Sequence, residues 1–277
     1  MLSYQHAYHA GSFADVIKHQ VLALTLEYMT QKESPLFYLE THGGRGMYDL
    51  VSAEAQKTQE IEMGILPLWQ QRQEMTSLSK GYLTLLMKLN PNGTLKYYPG
   101  SPAIAIDLLR AQDRLVINEL HPHEFQLLKQ CKKNHKKVHF AQTDGINQLK
   151  ALLPPPEKRG LIFIDPAYEV KDEYKLIPRA IQQAYKTFAN GVYMLWYPII
   201  HDYHHRQLLT HLGQIPSSKN LKIEFDFTEA PHLNMHGCGL WVINPPYLLE
   251  QQIKDFLNQF KQLFINTPIK ITVESGG

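Results

Sequence analysis

The chain has 277 residues, 44% of them hydrophobic and 19% charged. That length buries a sizeable core and is too long for a disulfide mini-scaffold, and the balance excludes wholesale disorder. Lys and Arg number 28 against 26 Asp and Glu, a net charge of +2 with 14 neutral histidines, which excludes a histone-like polycation but leaves room for a local basic patch.

The opening Met1-Leu2-Ser3-Tyr4-Gln5-His6 is polar and aromatic, unlike the apolar core of a secretory leader. No segment approaches the ~20 apolar residues that span a bilayer, and a cytoplasmic protein is expected. A helix is expected over 14–29, with Val16, Ile17, Val21, Leu24 and Tyr28 near one face. Pro35 then opens a strand over 36–40 that ends in the cluster Gly43-Gly44-Arg45-Gly46. Glycines let a backbone turn tightly and approach a ligand closely. Their spacing does not fit the dinucleotide pattern G-x-G-x-x-G. It is nearer the E-x-G-x-G-x-G loop of S-adenosylmethionine methyltransferases, with His42 in the first glycine's place. A plain structural turn is the competing reading.

The next strand begins only near residue 115, and the stretch before it is helical in pattern over 60–71 and 78–89. A crossover normally needs far fewer residues, so 48–98 reads as a helical subdomain inserted into one domain spanning 1–277. The second strand, 115–119, ends in Asn118-Glu119-Leu120. An acidic side chain there commonly accepts hydrogen bonds from ribose hydroxyls; a solvated strand end competes. A helix follows over 123–131. Lys129, Lys132, Lys133, Lys136 and Lys137 crowd around Cys131 and His135, either as a solvated face or as phosphate contacts. The third strand, 137–140, runs into Thr143-Asp144-Gly145, a turn pair that also stands where an adenine amino group would be held. The stiff tract Leu153-Pro154-Pro155-Pro156 leads to a fourth strand, 161–164.

That strand is followed by Asp165-Pro166-Ala167-Tyr168, close to the D-P-P-Y motif of methyltransferases that act on exocyclic amines. An adenine amino lone pair is delocalised into the ring. A carboxylate and a backbone carbonyl accepting its two N–H bonds favour pyramidal nitrogen and expose the lone pair. Pro166 stiffens the turn, and Tyr168 offers a face for an extruded base, a contact of about 1–3 kcal/mol. Asn244-Pro245-Pro246-Tyr247 matches the N-P-P-Y form better, but it follows the seventh strand, away from the loops of strands one and four.

Further elements are a helix over 174–188, a strand over 192–196, a helix over 204–212, and strands over 221–227 and 240–243. Strands alternating with helices predict an α/β, Rossmann-like, seven-stranded and mostly parallel sheet covered on both faces. His201, Asp202, His204 and His205 fit no standard zinc spacing, and no metal is expected. Trp196 and Trp241 are expected in the core. Cys131 and Cys238 are expected to be free thiols of a reducing compartment.

The most distinctive stretch is Tyr4-Gln5-His6-Ala7-Tyr8-His9-Ala10-Gly11-Ser12-Phe13-Ala14-Asp15-Val16-Ile17-Lys18-His19. It resembles the signature opening of the RlmJ family, bacterial methyltransferases that modify the N6 of an adenosine in 23S ribosomal RNA. Later tracts are similar too: Tyr38 to Gly46, Tyr97-Tyr98-Pro99-Gly100-Ser101-Pro102, Glu119-Leu120-His121-Pro122, Asp144-Gly145, Ile164-Asp165-Pro166, Leu195-Trp196-Tyr197-Pro198 and Val242-Ile243-Asn244-Pro245-Pro246. The resemblance implies an S-adenosylmethionine pocket built from His19, His42, Ser101, Glu119, Asp144 and Gly145, with Gly44 in its loop. Asp165 would be shared between the cofactor and the target amine, and Tyr4 would touch the RNA. His6 and Lys18, crowded beside Tyr4, are read on the RNA side as well. Ala167 departs from the usual second proline, which predicts a less rigid loop. Arg45 departs from a smaller, less charged turn, and either a salt bridge or a phosphate contact follows.

The expected activity is transfer of a methyl group to the N6 of an adenosine in 23S ribosomal RNA, with no obligate protein partner. Three rivals remain. A DNA adenine methyltransferase uses the same motif, though no separate DNA-recognition domain is evident. A non-catalytic RNA-binding protein that retains S-adenosylmethionine is the second. A nucleotide oxidoreductase, the third, is disfavoured by the glycine spacing.

Overall fold

The computed structural model describes residues 5–131, 137–202, 204–217, 219–228, 235–264 and 267–276. In chain order its main elements are α1 (Phe13–Met29), β1 (Phe37–Glu40), β2 (Met47–Asp49), α2 (Ala53–Thr58), α3 (Ile65–Gln70), α4 (Lys80–Leu89), β3 (Tyr97–Pro99), α5 (Ser101–Leu108), β4 (Arg114–Asn118) and α6 (Pro122–Leu128). They continue with β5 (Val138–Ala141), α7 (Gly145–Leu152), β6 (Gly160–Ile164), α8 (Glu173–Thr187), β7 (Val192–Ile200), α9 (His204–Leu212), β8 (Asn220–Phe227), β9 (Met235–Ile243), α10 (Leu249–Lys261) and β10 (Ile269–Gly276).

The main sheet has the order β10-β8-β9-β7-β6-β1-β4-β5. The strands β5, β4, β1, β6 and β7 are parallel, whereas β9, β8 and β10 join by antiparallel pairing. Every residue of β1 and β6 is buried, as expected of central parallel strands covered on both faces. The fold is Rossmann-like, with one strand more than the sequence reading counts. That strand is β10, an edge strand exposed along much of its length. Its alternating Ile-Lys-Ile-Thr-Val-Glu lacks the continuous apolar run that announces a buried strand.

Helix α1 lies between the sheet and the helices α4, α5 and α10. Ser12 caps it, its hydroxyl accepting from the Asp15 amide at 3.4 Å. Covered on several sides, α1 buries the polar residues Asp15, Lys18, His19 and Gln20 along with its apolar ones. Each must therefore find a partner inside, and those partners make up much of the site.

Between β1 and β4 the chain makes a long excursion. It carries the small antiparallel pair β2–β3 and the helices α2, α3 and α4. The helix expected over 60–71 is broken at Gly64, where φ is −148° and ψ is −107°. A Cβ at Gly64 would stand 2.1 Å from the Gly11 carbonyl oxygen, and the Ile65 amide donates to that oxygen at 2.8 Å. Backbone contact with the entry to α1 overrides the helical pattern here. Leu68, Trp69, Tyr82, Leu86 and Tyr98 of the excursion share one apolar cluster with α1 and the sheet. No helix among the described residues is long and apolar enough to cross a membrane.

Candidate active site

Where β1, β4, β5 and β6 end, their loops wall a cavity of about 1300 Å³ that is also lined by α1 and the N-terminus of α5. Its corner at the end of β6 is built around Asp165. The pairing of Ile164 with Leu195 sets Asp165 beside Trp196. Lys18 Nζ donates to Asp165 Oδ2 at 2.6 Å and lies 2.9 Å from Asp15 Oδ1. Asp15 Oδ2 in turn receives the Gly11 amide at 3.0 Å and pairs with His6 Nε2 at 2.9 Å. Burial opposes the charge on Lys18, but the two carboxylates outweigh it and raise the ammonium above its ordinary range. Burial likewise opposes the charge on Asp15, and His6 with Lys18 holds it well below the usual carboxylate range. Lys18 Nζ also lies 5.5 Å from the Trp196 ring centroid, a cation–π distance. Asp165 Oδ1 has no partner among the described residues.

The residues after Asp165 are held in an unusual conformation. Tyr168 has φ +52°, a left-handed backbone that costs a bulky side chain about 1–3 kcal/mol. Its hydroxyl donates to the Trp196 carbonyl at 3.0 Å, and its ring centroid lies 4.4 Å from that of Tyr174. These contacts anchor the loop on the side where Ala167 replaces a proline. Tyr174 already occupies one side of the ring on which a base was expected to stack.

On the other side of the cavity, Glu119 Oε2 accepts from the Gly44 amide at 2.7 Å and Oε1 from the His121 amide at 2.7 Å. Gly44 has φ +60°, which a glycine adopts without penalty. Burial raises the Glu119 pKa. Asp144 caps α7, its Oδ1 accepting from the Ile146 amide and its Oδ2 from Asn147 Nδ2, both at 2.9 Å. Gly145 must be glycine, because a Cβ would stand 1.9 Å from the Thr41 carbonyl oxygen. His42 Nδ1 lies 2.7 Å from Thr41 Oγ1, and burial lowers its pKa to about 4. His19 Nδ1 lies 2.8 Å from the Tyr98 hydroxyl, and burial lowers its pKa to about 3. Ser101 donates to Glu40, which also accepts from the Tyr38 hydroxyl at 3.0 Å. Burial pushes Glu40 up to about 8. Near neutral pH the cavity therefore has uncharged imidazoles at His19 and His42 and a largely protonated Glu40 beneath Ser101.

These residues fit S-adenosylmethionine. The volume exceeds the ~300–1,000 Å³ of ordinary small-ligand sites, leaving room for a second ring system. The carboxylates of Glu119, Asp144 and Asp165 suit a cationic ligand rich in hydroxyl and amino donors. Among the described residues no group of three or more His, Cys, Asp or Glu is arranged to hold a metal ion.

His6 and Lys18, expected on the RNA side, line the cavity with Asp165, Pro166 and Tyr168. Tyr4 lies outside the described residues, as do Lys132, Lys133, His135 and Lys136. Lys137 is tied to the Gln112 carbonyl at 3.0 Å. Arg45 forms a two-pronged salt bridge with Glu124 at 2.7 and 2.8 Å. Asn244 is far from this corner. Because β9 is antiparallel to β7, its end lies beside the start of β7, and Asn244 Nδ2 donates to the carbonyls of Ala189 and Gly191 at 2.7 and 2.8 Å.

Trp196, expected in the core, is half-buried in the cavity wall. Strand β7 continues four residues beyond it to Ile200, past the end of β6, which uncovers the indole. Asp15 is not singled out in the sequence, and Glu40 enters only as the glutamate of the E-x-G-x-G-x-G loop. The i,i+3 spacing of Asp15 and Lys18 on a buried helix was the available signal. The loop pattern marks Glu40 but not its partners Ser101 and Tyr38, which face it only after folding.

The sequence profile described as "Ribosomal RNA large subunit methyltransferase D, RlmJ" matches residues 33–274. A Haemophilus influenzae protein named "Ribosomal RNA large subunit methyltransferase J" is 44% identical over 259 residues, covering 93% of this chain and 92% of that protein. An Escherichia coli protein of the same name is 42% identical over 258 residues, with the same coverage of 93% and 92%. The crystal structure of a Legionella pneumophila protein superposes with a TM-score of 0.92 at 49% identity, covering 97% of this chain and 99% of that one. Family profile, full-length relatives and fold agree, and the chain belongs to the RlmJ family of ribosomal RNA large subunit methyltransferases.

Proposed function

We propose that the protein transfers a methyl group from S-adenosylmethionine to the N6 of an adenosine in 23S ribosomal RNA, in the bacterial cytoplasm and without an obligate protein partner. The observation that carries this reading is Asp165. It stands at the end of the fourth parallel strand, with one carboxylate oxygen fixed by Lys18 and the other unpartnered among the described residues. The names of the Haemophilus and Escherichia relatives support a ribosomal RNA substrate.

In this reading Glu119 receives the cofactor's ribose hydroxyls and Asp144 with Gly145 its adenine. Gly44 brings backbone close, and His19, His42 and Ser101 bind the remaining polar groups. Bound S-adenosylmethionine supplies an electrophilic methyl carbon and leaves as a neutral thioether. Lys18 holds Asp165 in one orientation. The free Oδ1 accepts a hydrogen bond from the adenine amino group, which turns the nitrogen lone pair out of the ring. A neutral aromatic amine is too weak an acid to lose its proton first. The methylated nitrogen is far more acidic, and Asp165 or water takes the proton then. Rate arises from orientation and from dipoles fixed before the reaction. The target base must leave its stack or come from an unstacked loop. Pro166, Tyr168 and His6 form its side of the site, Tyr4 is assigned to the RNA from the family resemblance, and the excursion over 48–98 acts as an inserted subdomain of the single 1–277 domain.

Tritium transfer from labelled S-adenosylmethionine onto 23S ribosomal RNA, with duplex DNA as comparison, tests the reading. Label in RNA alone is expected. Label in DNA would favour a DNA adenine methyltransferase, and cofactor binding without transfer would favour a non-catalytic RNA-binding protein.

A further inference from the structure

The excursion between β1 and β4 reaches the cavity through two buried hydroxyls. Tyr82 of α4 and Tyr98 of β3 are both fully buried. Their oxygens lie 2.8 Å apart, and the Tyr98 oxygen lies 2.8 Å from His19 Nδ1. His19 lines the cavity, and nothing among the described residues bonds its Nε2. Since burial keeps this imidazole uncharged near neutral pH, it carries one N–H, on either Nδ1 or Nε2.

The chain of hydroxyls decides which. If Nδ1 carries the hydrogen, it donates to Tyr98, and Tyr98 donates to Tyr82. The Tyr82 O–H then has no acceptor among the described residues, and a buried donor without an acceptor is costly. In the opposite order both hydroxyl hydrogens have an acceptor, and the remaining imidazole hydrogen is left to the cavity that His19 lines. Tyr82 donates to Tyr98, Tyr98 donates to His19 Nδ1, and the imidazole hydrogen resides on Nε2.

We infer that Tyr82 and Tyr98 are positioning residues that fix His19 as the Nε2–H tautomer, so that it offers a donor to an acceptor group of the cofactor. This rests on the reading of the cavity as an S-adenosylmethionine site. It gives Tyr82 and Tyr98, which do not line the cavity, a part in cofactor binding through His19.

Long-range proton–nitrogen spectra of histidine-labelled protein give the tautomer directly. The Nε2–H form is expected at His19, assigned by its loss in His19→Gln, and a dominant Nδ1–H form would overturn the relay. Calorimetry with S-adenosylmethionine supplies the second readout. Tyr98→Phe is expected to weaken binding about 5–10-fold and Tyr82→Phe about 2–3-fold, the scale of a neutral hydrogen bond. A glutamine at position 19 carries its own donor amide and needs no relay. In the His19→Gln background, Tyr98→Phe should therefore change affinity by less than about twofold. An equal loss in both backgrounds would make Tyr98 merely structural and sink the inference, and Tyr82→Phe provides the same cycle if Tyr98→Phe does not fold. Unchanged affinity in His19→Ala would overturn the cofactor assignment of His19 itself, an outcome separable from a wrong tautomer.

Discussion

Two four-residue loops, Asp165-Pro166-Ala167-Tyr168 and Asn244-Pro245-Pro246-Tyr247, differ little in composition and follow strands two apart in one sheet, at opposite ends of the strands. Each contains a left-handed residue, Tyr168 at φ +52° and Asn244 at φ +54°. Asparagine tolerates that region and a bulky aromatic does not. At Asn244 the side-chain amide closes the turn by bonding the Ala189 and Gly191 carbonyls, and Tyr247 is 85% exposed. At Tyr168 the strain is held by the Trp196 carbonyl and the Tyr174 ring, and the loop's acidic residue meets a buried lysine. Strand direction explains the difference. Strand β6 runs toward the cavity with its parallel neighbours, and β9 runs away from it, so similar tetrapeptides are a catalytic candidate at one end of the strands and a structural turn at the other.

The largest effect that sharpens this contrast is expected from Asp165→Ala. Single-turnover methylation at saturating S-adenosylmethionine should fall at least ~10³-fold, or about 4 kcal/mol, while the melting curve stays cooperative. A dead Asn244→Ala beside an active Asp165→Ala would reverse the roles of the two loops. Next comes Lys18→Met. It leaves Asp15 and Asp165 facing each other without their shared cation, and breaking such a buried pair costs about 3–5 kcal/mol. Urea denaturation should show that loss, and combining Lys18→Met with Asp15→Asn should recover part of it.

A smaller effect is expected from pH. Glu40 holds its proton up to about pH 8 in the folded protein, against an ordinary value of 4.5. Between those values the folded state binds a proton that the unfolded chain has lost. Its contribution is fully present below about 4.5 and fades as pH rises toward 8, by at most about 1.4 kcal/mol per pH unit. Glu40→Gln should therefore lose less stability than wild type between pH 6 and 8, as read by Tm. The smallest effect belongs to Asn244→Ala. Stability should fall by about 0.5–1.5 kcal/mol, because one exposed and one part-buried carbonyl lose their donor. The loss should be equal at pH 6 and pH 8, since Asn244 does not titrate, and methyl transfer should change less than twofold.

The strand count was legible where strands are central. β1, β4, β6 and β7 are short apolar runs ended by glycine, acidic or proline residues, and those ends carry Gly44, Glu119 and Asp165. The edge strand β10 was not legible, because its outward residues are polar and its inward ones too few to form a run. The break at Gly64 was hidden as well, since the cause is the backbone of Gly11, more than fifty residues earlier.

The sequence by itself determined the order of the loops around the cavity, because a parallel sheet with right-handed crossovers leaves little choice of which strand ends meet. It also determined the residue types at those ends, including the glycine at 145 that the approach of Thr41 requires. Only the tertiary structure decided the partnerships of buried polar groups. Lys18 reaches Asp165 across 147 positions, and Tyr98 reaches His19 across 79. Such bonds depend on where helices pack against a sheet, and local propensity carries no information about that. The same holds for the charge state of each group, which burial and neighbours set together.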